Sequence, residues 1–244
     1  MSRPPLKAVS FDAAGTLIHL TESVGEAYSR VAAKFGIRAE PGALDAAFRR
    51  TWKTTPLPFS RQQGSFDEPT LLDRKTDIGN DHEKNWWFQL VQSVFSTAEI
   101  QIPDGQFPAF FEALYDHFES PGCWELDPDA KAVLAAAANR DLGIALLSNF
   151  DSRLRRILAD LDILDHFEIV ILSSEVRASK PDPRIFDALL DLARHPAGSI
   201  LHIGDDPECD WNGAARAGLQ TYQLCRKTRP LSGVIGQILS SCNA

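Results

Sequence analysis

"KAVSFDAAGTLIHL", residues 7–20, carries an apolar run into an aspartate, turns through Ala13, Ala14 and Gly15, and leaves on an apolar stretch. Residues 6–11 read as a strand that closes on Asp12. A carboxylate at the end of a buried strand is costly unless the strand opens into a crevice where the charge has work to do. Two places further on, Ala14 offers only a methyl group.

Downstream the apolar period changes from two to that of a helix. Val24, Ala27, Tyr28, Val31 and Phe35 fall at i, i+3, i+4, i+7 and i+11, and Gly36 stops the run. Leu44, Ala47, Phe48 and Trp52 mark a second helix, and the polar residues 54–80 read as a long loop. "DHEKNWWFQLVQSVF" gives a third helix, with Trp87, Leu90, Val91, Val94 and Phe95 on its buried side. A fourth carries Phe107, Phe110, Phe111, Leu114, Tyr115 and Phe118.

After Pro121 the pattern alternates. Asp127 is placed to cap a helix through residues 128–139. Then follow strand "GIALLSNFD", helix "SRLRRILADL", strand "EIVILSS", helix "DPRIFDALLDLA", strand "SILHIGDD", helix "CDWNGAARAG" and strand "QTYQLC". Short β-rich runs separated by helices imply βαβ units and a parallel sheet. The expected architecture is an α/β core from residues 1–18 and 119–244, with an all-helical module, residues 19–118, inserted between its first strand and the rest.

Composition narrows the function. The chain has 244 residues, 44% hydrophobic and 24% charged, with a formal net charge of -8. That balance argues against nucleic acid or an anionic membrane as a partner. No apolar stretch approaches the roughly 18 residues a bilayer span needs, and "MSRPPLKAVSFD" lacks a secretory apolar region. Cys123, Cys209, Cys225 and Cys242 form no Cys-x-x-Cys pair. Reduced thiols and a cytoplasmic location are the expectation.

Polar residues gather where the strands end: Asp12 after the first, Ser148 and Asn149 after the second, Asp205 and Asp206 after "LHIG". In a doubly wound sheet those ends form one crevice. Carboxylates brought together there repel unless a cation sits among them, and oxygen donors without His or Cys suit Mg²⁺. In "RASKPDPRIF", Pro181 restricts Lys180 to extended backbone, while Asp182 caps and Pro183 opens the next helix. Lys180 is thereby held ahead of a helix, within reach of an anion or a carboxylate.

"FDAAGTL", "LLSNFD", "SKPDPRIF" and "IGDDPECD", in this order, resemble the four motifs of the haloacid dehalogenase (HAD) superfamily, and the helical insert resembles that superfamily's C1 cap. Together with "LLSNFD" and "KPDPRIF", "EKNWWFQLV" resembles the subgroup named for haloacid dehalogenase-like hydrolase domain-containing protein 3. The resemblance implies a HAD-type Rossmann-like core and a small phosphorylated substrate. It also implies roles: Asp12 as a nucleophile that becomes an aspartyl phosphate, Ser148 and Lys180 as holders of the phosphoryl oxygens, and Asn149 as a shaper of the pocket. Mg²⁺ would bind Asp12, Asp205 and the backbone carbonyl of Ala14, with Asp206 or Asp210 in support.

Most phosphatases of the superfamily carry a second aspartate where this chain has Ala14. The metal would use only the carbonyl there, so what is lost is general acid–base catalysis, worth about a hundred- to ten-thousand-fold in rate. Several readings stay open. One is a phosphohydrolase, weak or restricted to acyl and aryl phosphates. Another is a non-catalytic binder of metal and phospho-ligand. A 2-haloacid dehalogenase shares the missing acid, but Asp205 and the hydroxyl-free Phe186 speak against it. A phosphonatase-like enzyme would enlist Lys53.

Simpler roles compete residue by residue. Thr16 braces the turn, Asp206 before Pro207 doubles as a helix N-cap, and His202 reads as a packed core residue. At least one of Trp86 and Trp87 belongs to the core. Arg49, Arg50, Lys53, Arg61, Arg74 and Lys75 read mainly as solvated surface.

Overall fold

A computed structural model describes residues 4–60, 78–103 and 105–240. In chain order it runs β1 (Ala8–Phe11), β2 (Ile18–Leu20), α1 (Val24–Lys34), α2 (Pro41–Thr54), α3 (Ile78–Thr97), α4 (Phe107–His117), β3 (Trp124–Leu126), α5 (Ala130–Ala138), β4 (Gly143–Ser148) and α6 (Arg153–Asp160). It continues with β5 (Ile169–Leu172), α7 (Ser173–Val176), α8 (Pro183–Ala193), β6 (Ile200–Gly204), α9 (Gly213–Arg216), β7 (Gln220–Gln223) and α10 (Val234–Ser240).

The main sheet has five parallel strands in the order β5-β4-β1-β6-β7. Alternation along each strand feeds two cores. Val9 and Phe11 of β1 join Leu146 and Ile203 on one face, while Ala8 joins Ala145, Leu147 and Ile200 on the other. Both faces are covered by helices, as a parallel sheet requires. β1 is central, and the chain builds β4 and β5 on one side before crossing to β6 and β7 on the other. Asp12 therefore stands where the strand order reverses, the place at which α/β sheets bind ligands.

The helices α1–α4 between β2 and β3 pack round a core of their own, which includes Tyr28, Val31, Leu44, Val94, Phe95, Phe110 and Leu114. Tyr28 stacks on Phe95 with centroids 6.0 Å apart and meets Phe118 edge-on. Local sequence starts these helices well. Ser23 and Glu26 form a reciprocal capping box before α1, and Glu40 caps α2 ahead of Pro41. Where the helical segment leaves and rejoins the core, β2 and β3 pair antiparallel, Ile18 opposite Leu126 and Leu20 opposite Trp124. Among the described residues no helix is long and apolar enough to cross a membrane.

Three details depart from the sequence expectation. The helix read from residue 128 begins at Ala130, because Asp127 spends Oδ1 on the Asp129 N–H (2.9 Å) and turns Oδ2 toward His19 Nε2 (3.3 Å). The "SS" that ends the strand "EIVILSS" instead opens the short α7. The helix read as "CDWNGAARAG" starts with a wide π-type turn over Pro207–Asn212, with the Trp211 N–H reaching the Asp206 carbonyl at 3.2 Å.

Candidate active site

The carboxyl ends of β1, β4 and β6, with the loop before α8, bring the distant segments together. Lys180 Nζ donates to Asp12 Oδ1 (2.7 Å) and to Asp210 Oδ1 (2.6 Å), and Ser148 Oγ donates to Asp12 Oδ1 (3.3 Å). Asp12 is 8% exposed, and Lys180 and Asp210 are 2% exposed. Breaking such a buried ion pair from one side costs about 3–5 kcal/mol, because the surviving charge stays desolvated.

Each member is held from behind. Asn149 grips the Lys180 backbone at both polar atoms: its Oδ1 accepts from the Lys180 N–H (2.7 Å) and its Nδ2 donates to the Lys180 carbonyl (3.0 Å). It thus positions the lysine as well as lining the pocket. Asp182 caps α8 through the Arg184 N–H, with Pro183 in the first helical position. His202 lies with Nε2 3.1 Å from Asp210 Oδ1 and Nδ1 2.8 Å from Ser10 Oγ, so the strand histidine expected in the core is packed there but also buttresses the site.

Two glycines make the approach possible. Gly15 has φ +91°, and a Cβ there would sit 2.6 Å from Asp205 Oδ2. A Cβ on Gly204 would lie 2.3 Å from the Asp210 Cγ. Thr16 Oγ1 donates to Asp205 Oδ1 at 3.4 Å, bracing turn and carboxylate together.

Of the two roles the sequence offers Asp206, helix cap and support for a cation, the structure shows the cap. Its Oδ1 accepts from the N–H groups of Glu208 (2.9 Å) and Cys209 (2.7 Å), the first donors past Pro207, which has none. The third carboxylate of the cluster is Asp210 instead. Oxygens of Asp12, Asp205 and Asp210 all lie within 4.8 Å of one another. Asp210 already receives Lys180, His202 and, at Oδ2, the Asp206 N–H (3.0 Å). Asp12 and Asp205 are therefore the better cation donors, and an all-oxygen set of this kind fits Mg²⁺.

Electrostatics express the crowding. Burial pushes Asp12 up to about 6; the Lys180 charge pulls it back, while Asp210 and Asp205 push it further. Burial also raises Asp205, with Asp210 adding repulsion. Burial alone would raise Asp210, but Lys180 and His202 outweigh it and hold the carboxyl below its usual range. Lys180 is held above the usual range because its two carboxylates outweigh the desolvation that would lower it. A cation between Asp12 and Asp205 would reverse the rise of both.

Above this floor lies a cavity of about 610 Å³. Phe48, Trp52, Trp87, Tyr115, Trp124 and Phe150 are among its walls, and Lys53 and Ala14 also border it. Trp86 is buried and donates its Nε1–H to the Pro56 carbonyl (2.7 Å), while Trp87 is half-buried. Arg49 and Arg50 lie on α2. Arg61, Arg74 and Lys75 lie outside the described residues.

Sequence reasoning missed a second polar cluster on the wall. Glu83 of α3, 3% exposed, accepts from Ser173 Oγ at 3.4 Å, and burial reinforced by the Asp151 charge, against Arg153, lifts it to about 8. Asp151 receives Tyr115 Oη (2.8 Å) and Arg153 Nη2 (2.7 Å), and the Arg153 guanidinium lies 3.4 Å from the Tyr115 ring centre. The Asp151–Arg153 spacing of two was the available signal.

Fold and site define a class. The haloacid dehalogenase-like hydrolase family model matches residues 6–218, and the chain belongs to that family. It is similar to human haloacid dehalogenase-like hydrolase domain-containing protein 3, with 32% identity over 220 residues, 90% of this chain and 82% of the relative. A phosphoserine phosphatase of Thermus thermophilus is 37% identical over 108 residues, 44% of this chain and 43% of the relative. Among solved structures, an L-2-haloacid dehalogenase shares the fold with a TM-score of 0.67 at 16% identity, covering 97% of this chain and all of that one.

Proposed function

We propose that this chain is a Mg²⁺-dependent phosphohydrolase in which Asp12 takes up the phosphoryl group, acting on small phosphorylated substrates whose leaving group needs no proton. The observation that carries the reading is the contact set of Asp12 with Lys180 and Ser148, beside Asp205.

The residues divide the work. Asp12 Oδ1 is engaged by Lys180 and Ser148, which leaves Oδ2 to attack phosphorus. The new bond is an aspartyl phosphate, and the ester oxygen departs with its electron pair. Lys180 Nζ and Ser148 Oγ, now beside the transferred group, hold its oxygens in place, and Asn149 keeps the lysine aimed. Water then attacks phosphorus, the bond from phosphorus to the Asp12 oxygen breaks, and inorganic phosphate leaves carrying the water's oxygen and protons, which restores the Asp12 carboxylate. Asp12, Asp205 and the Ala14 carbonyl would hold Mg²⁺, which when bound neutralises charge between two anions that otherwise repel.

Ala14 shapes the substrate range. Its side chain is exposed to the cavity and carries no proton. Acetyl phosphate and aryl phosphates release stable anions unaided, whereas alkyl phosphates do not. Ala14 is also what favours the second reading, a non-catalytic binder of metal and phospho-ligand. Lys53, on the cavity wall, keeps a phosphonatase-like C–P hydrolase in view, and dehalogenation ranks below it because Asp205 occupies the cluster and Phe186 lacks a hydroxyl.

The test is turnover of acetyl phosphate with Mg²⁺ by the wild-type chain and by Asp12→Asn. Turnover that falls about a thousandfold or more in the variant supports the enzyme. Magnesium binding without turnover in the wild type would support the binder.

A further inference from the structure

We infer that the cavity above Asp12 takes phosphate esters of flat, uncharged phenols, an inference that rests on the phosphohydrolase reading and carries it to a substrate class. A phosphoryl group needs only the floor of the site, so most of the roughly 610 Å³ is left for the body of the substrate. That volume is in the range of pockets built for whole small molecules.

The walls say what kind of body. Phe48, Trp52 and Trp87 form a near-parallel ladder: Trp52 lies 5.6 Å from Phe48 at 26° and 5.9 Å from Trp87 at 29°. Trp52 nonetheless remains 41% exposed, unusual for so large an apolar side chain. Trp124 on β3 and Phe150 in the loop after β4 meet edge-on at 5.9 Å and line the same cavity. A flat ring entering the cavity finds aromatic partners on helical and α/β elements alike, able to take the offset and edge geometries that aromatic pairs prefer.

Most charge on the walls is already answered. Arg153 is held by Asp151 and lies over Tyr115. Glu83, lifted to about 8, carries its proton at neutral pH. Asp206 caps its helix, and Glu208 pairs with Arg216 and Asn212. Lys53, exposed near the end of α2, borders the cavity outside these pairs. The strongly charged surface is thus the floor, which suits an anionic head on a neutral body.

The floor points the same way independently. An aryl oxide departs without a proton, and Ala14 supplies none. Wall and missing acid thereby select one class of ester.

Binding of benzylphosphonate and methylphosphonate, neither of which can be hydrolysed, tests this in the presence of Mg²⁺ by calorimetry. Benzylphosphonate should bind about tenfold or more tightly. Trp52→Ala should remove most of that preference and Trp52→Phe should restore it; thermal melting of both variants checks the fold. Equal affinities, or a preference untouched by Trp52→Ala, would overturn the inference. Because this readout needs no turnover, its failure is separate from failure of the phosphohydrolase reading, which the acetyl phosphate assay decides.

Discussion

The carboxyl edge of the sheet and the helical wall above it bury polar groups in opposite ways. At the edge, Lys180 sits between Asp12 and Asp210 at 2.7 and 2.6 Å, so buried charge is met by opposite charge, and Asp205 beside them adds a carboxylate that a cation would answer. On the wall, Glu83 has Ser173 at 3.4 Å and a carboxylate neighbour in Asp151, and it answers burial by keeping its proton. The first arrangement keeps ions at work in a dry place. The second keeps the wall neutral. A cleft for the proposed substrate, an anionic head on an uncharged body, needs both solutions around one cavity.

The sharpest way to disturb this division is to charge the boundary. Ala14→Asp puts a carboxyl where floor meets cavity, and it should raise turnover of alkyl phosphates about a hundredfold or more and that of acetyl phosphate by less, through activation of the water in the shared second step alone. Steady-state rates on the two substrates check it. An equal change on both would mean that the proton is not what limits alkyl esters.

A smaller effect is expected from the wall. The Glu83 pKa in the folded chain, about 8, lies above its ordinary 4.5. Below pH 4.5 both states hold the proton; above it the unfolded chain ionises first, so stability declines as pH rises until the folded chain ionises near pH 8. Glu83→Gln cannot ionise and should flatten that decline, so its melting temperature relative to wild type should rise by several degrees between pH 5 and pH 9. Parallel melting curves would show that Glu83 ionises freely in the fold.

Much of this was legible in the chain. The short apolar runs of "KAVSFD" and "SILHIGDD" and the Asp-Pro at residues 182–183 specify strands and a helix start by local means, and four strand-end motifs in order place Asp12, Ser148, Lys180 and Asp205 at one edge. What was hidden depends on tertiary geometry. β2 and β3 are three residues each, too short to show alternation, and exist because Ile18–Leu20 meets Trp124–Leu126 across more than a hundred residues. Asp206 and Asp210 are equal candidates in sequence; the wide turn at Pro207–Asn212 and the bare Cα of Gly204 bring Asp210 in and leave Asp206 to cap. Glu83 meets Ser173 only because α3 packs on α7, which no pattern within either segment reveals.

The central claim is that Asp12 becomes covalently phosphorylated. Brief incubation with acetyl phosphate and Mg²⁺, followed by borohydride reduction and peptide mass spectrometry, should convert residue 12 to homoserine, and the conversion should vanish in Asp12→Asn. Turnover of acetyl phosphate with residue 12 recovered only as aspartate, or with homoserine at another position, would contradict the account.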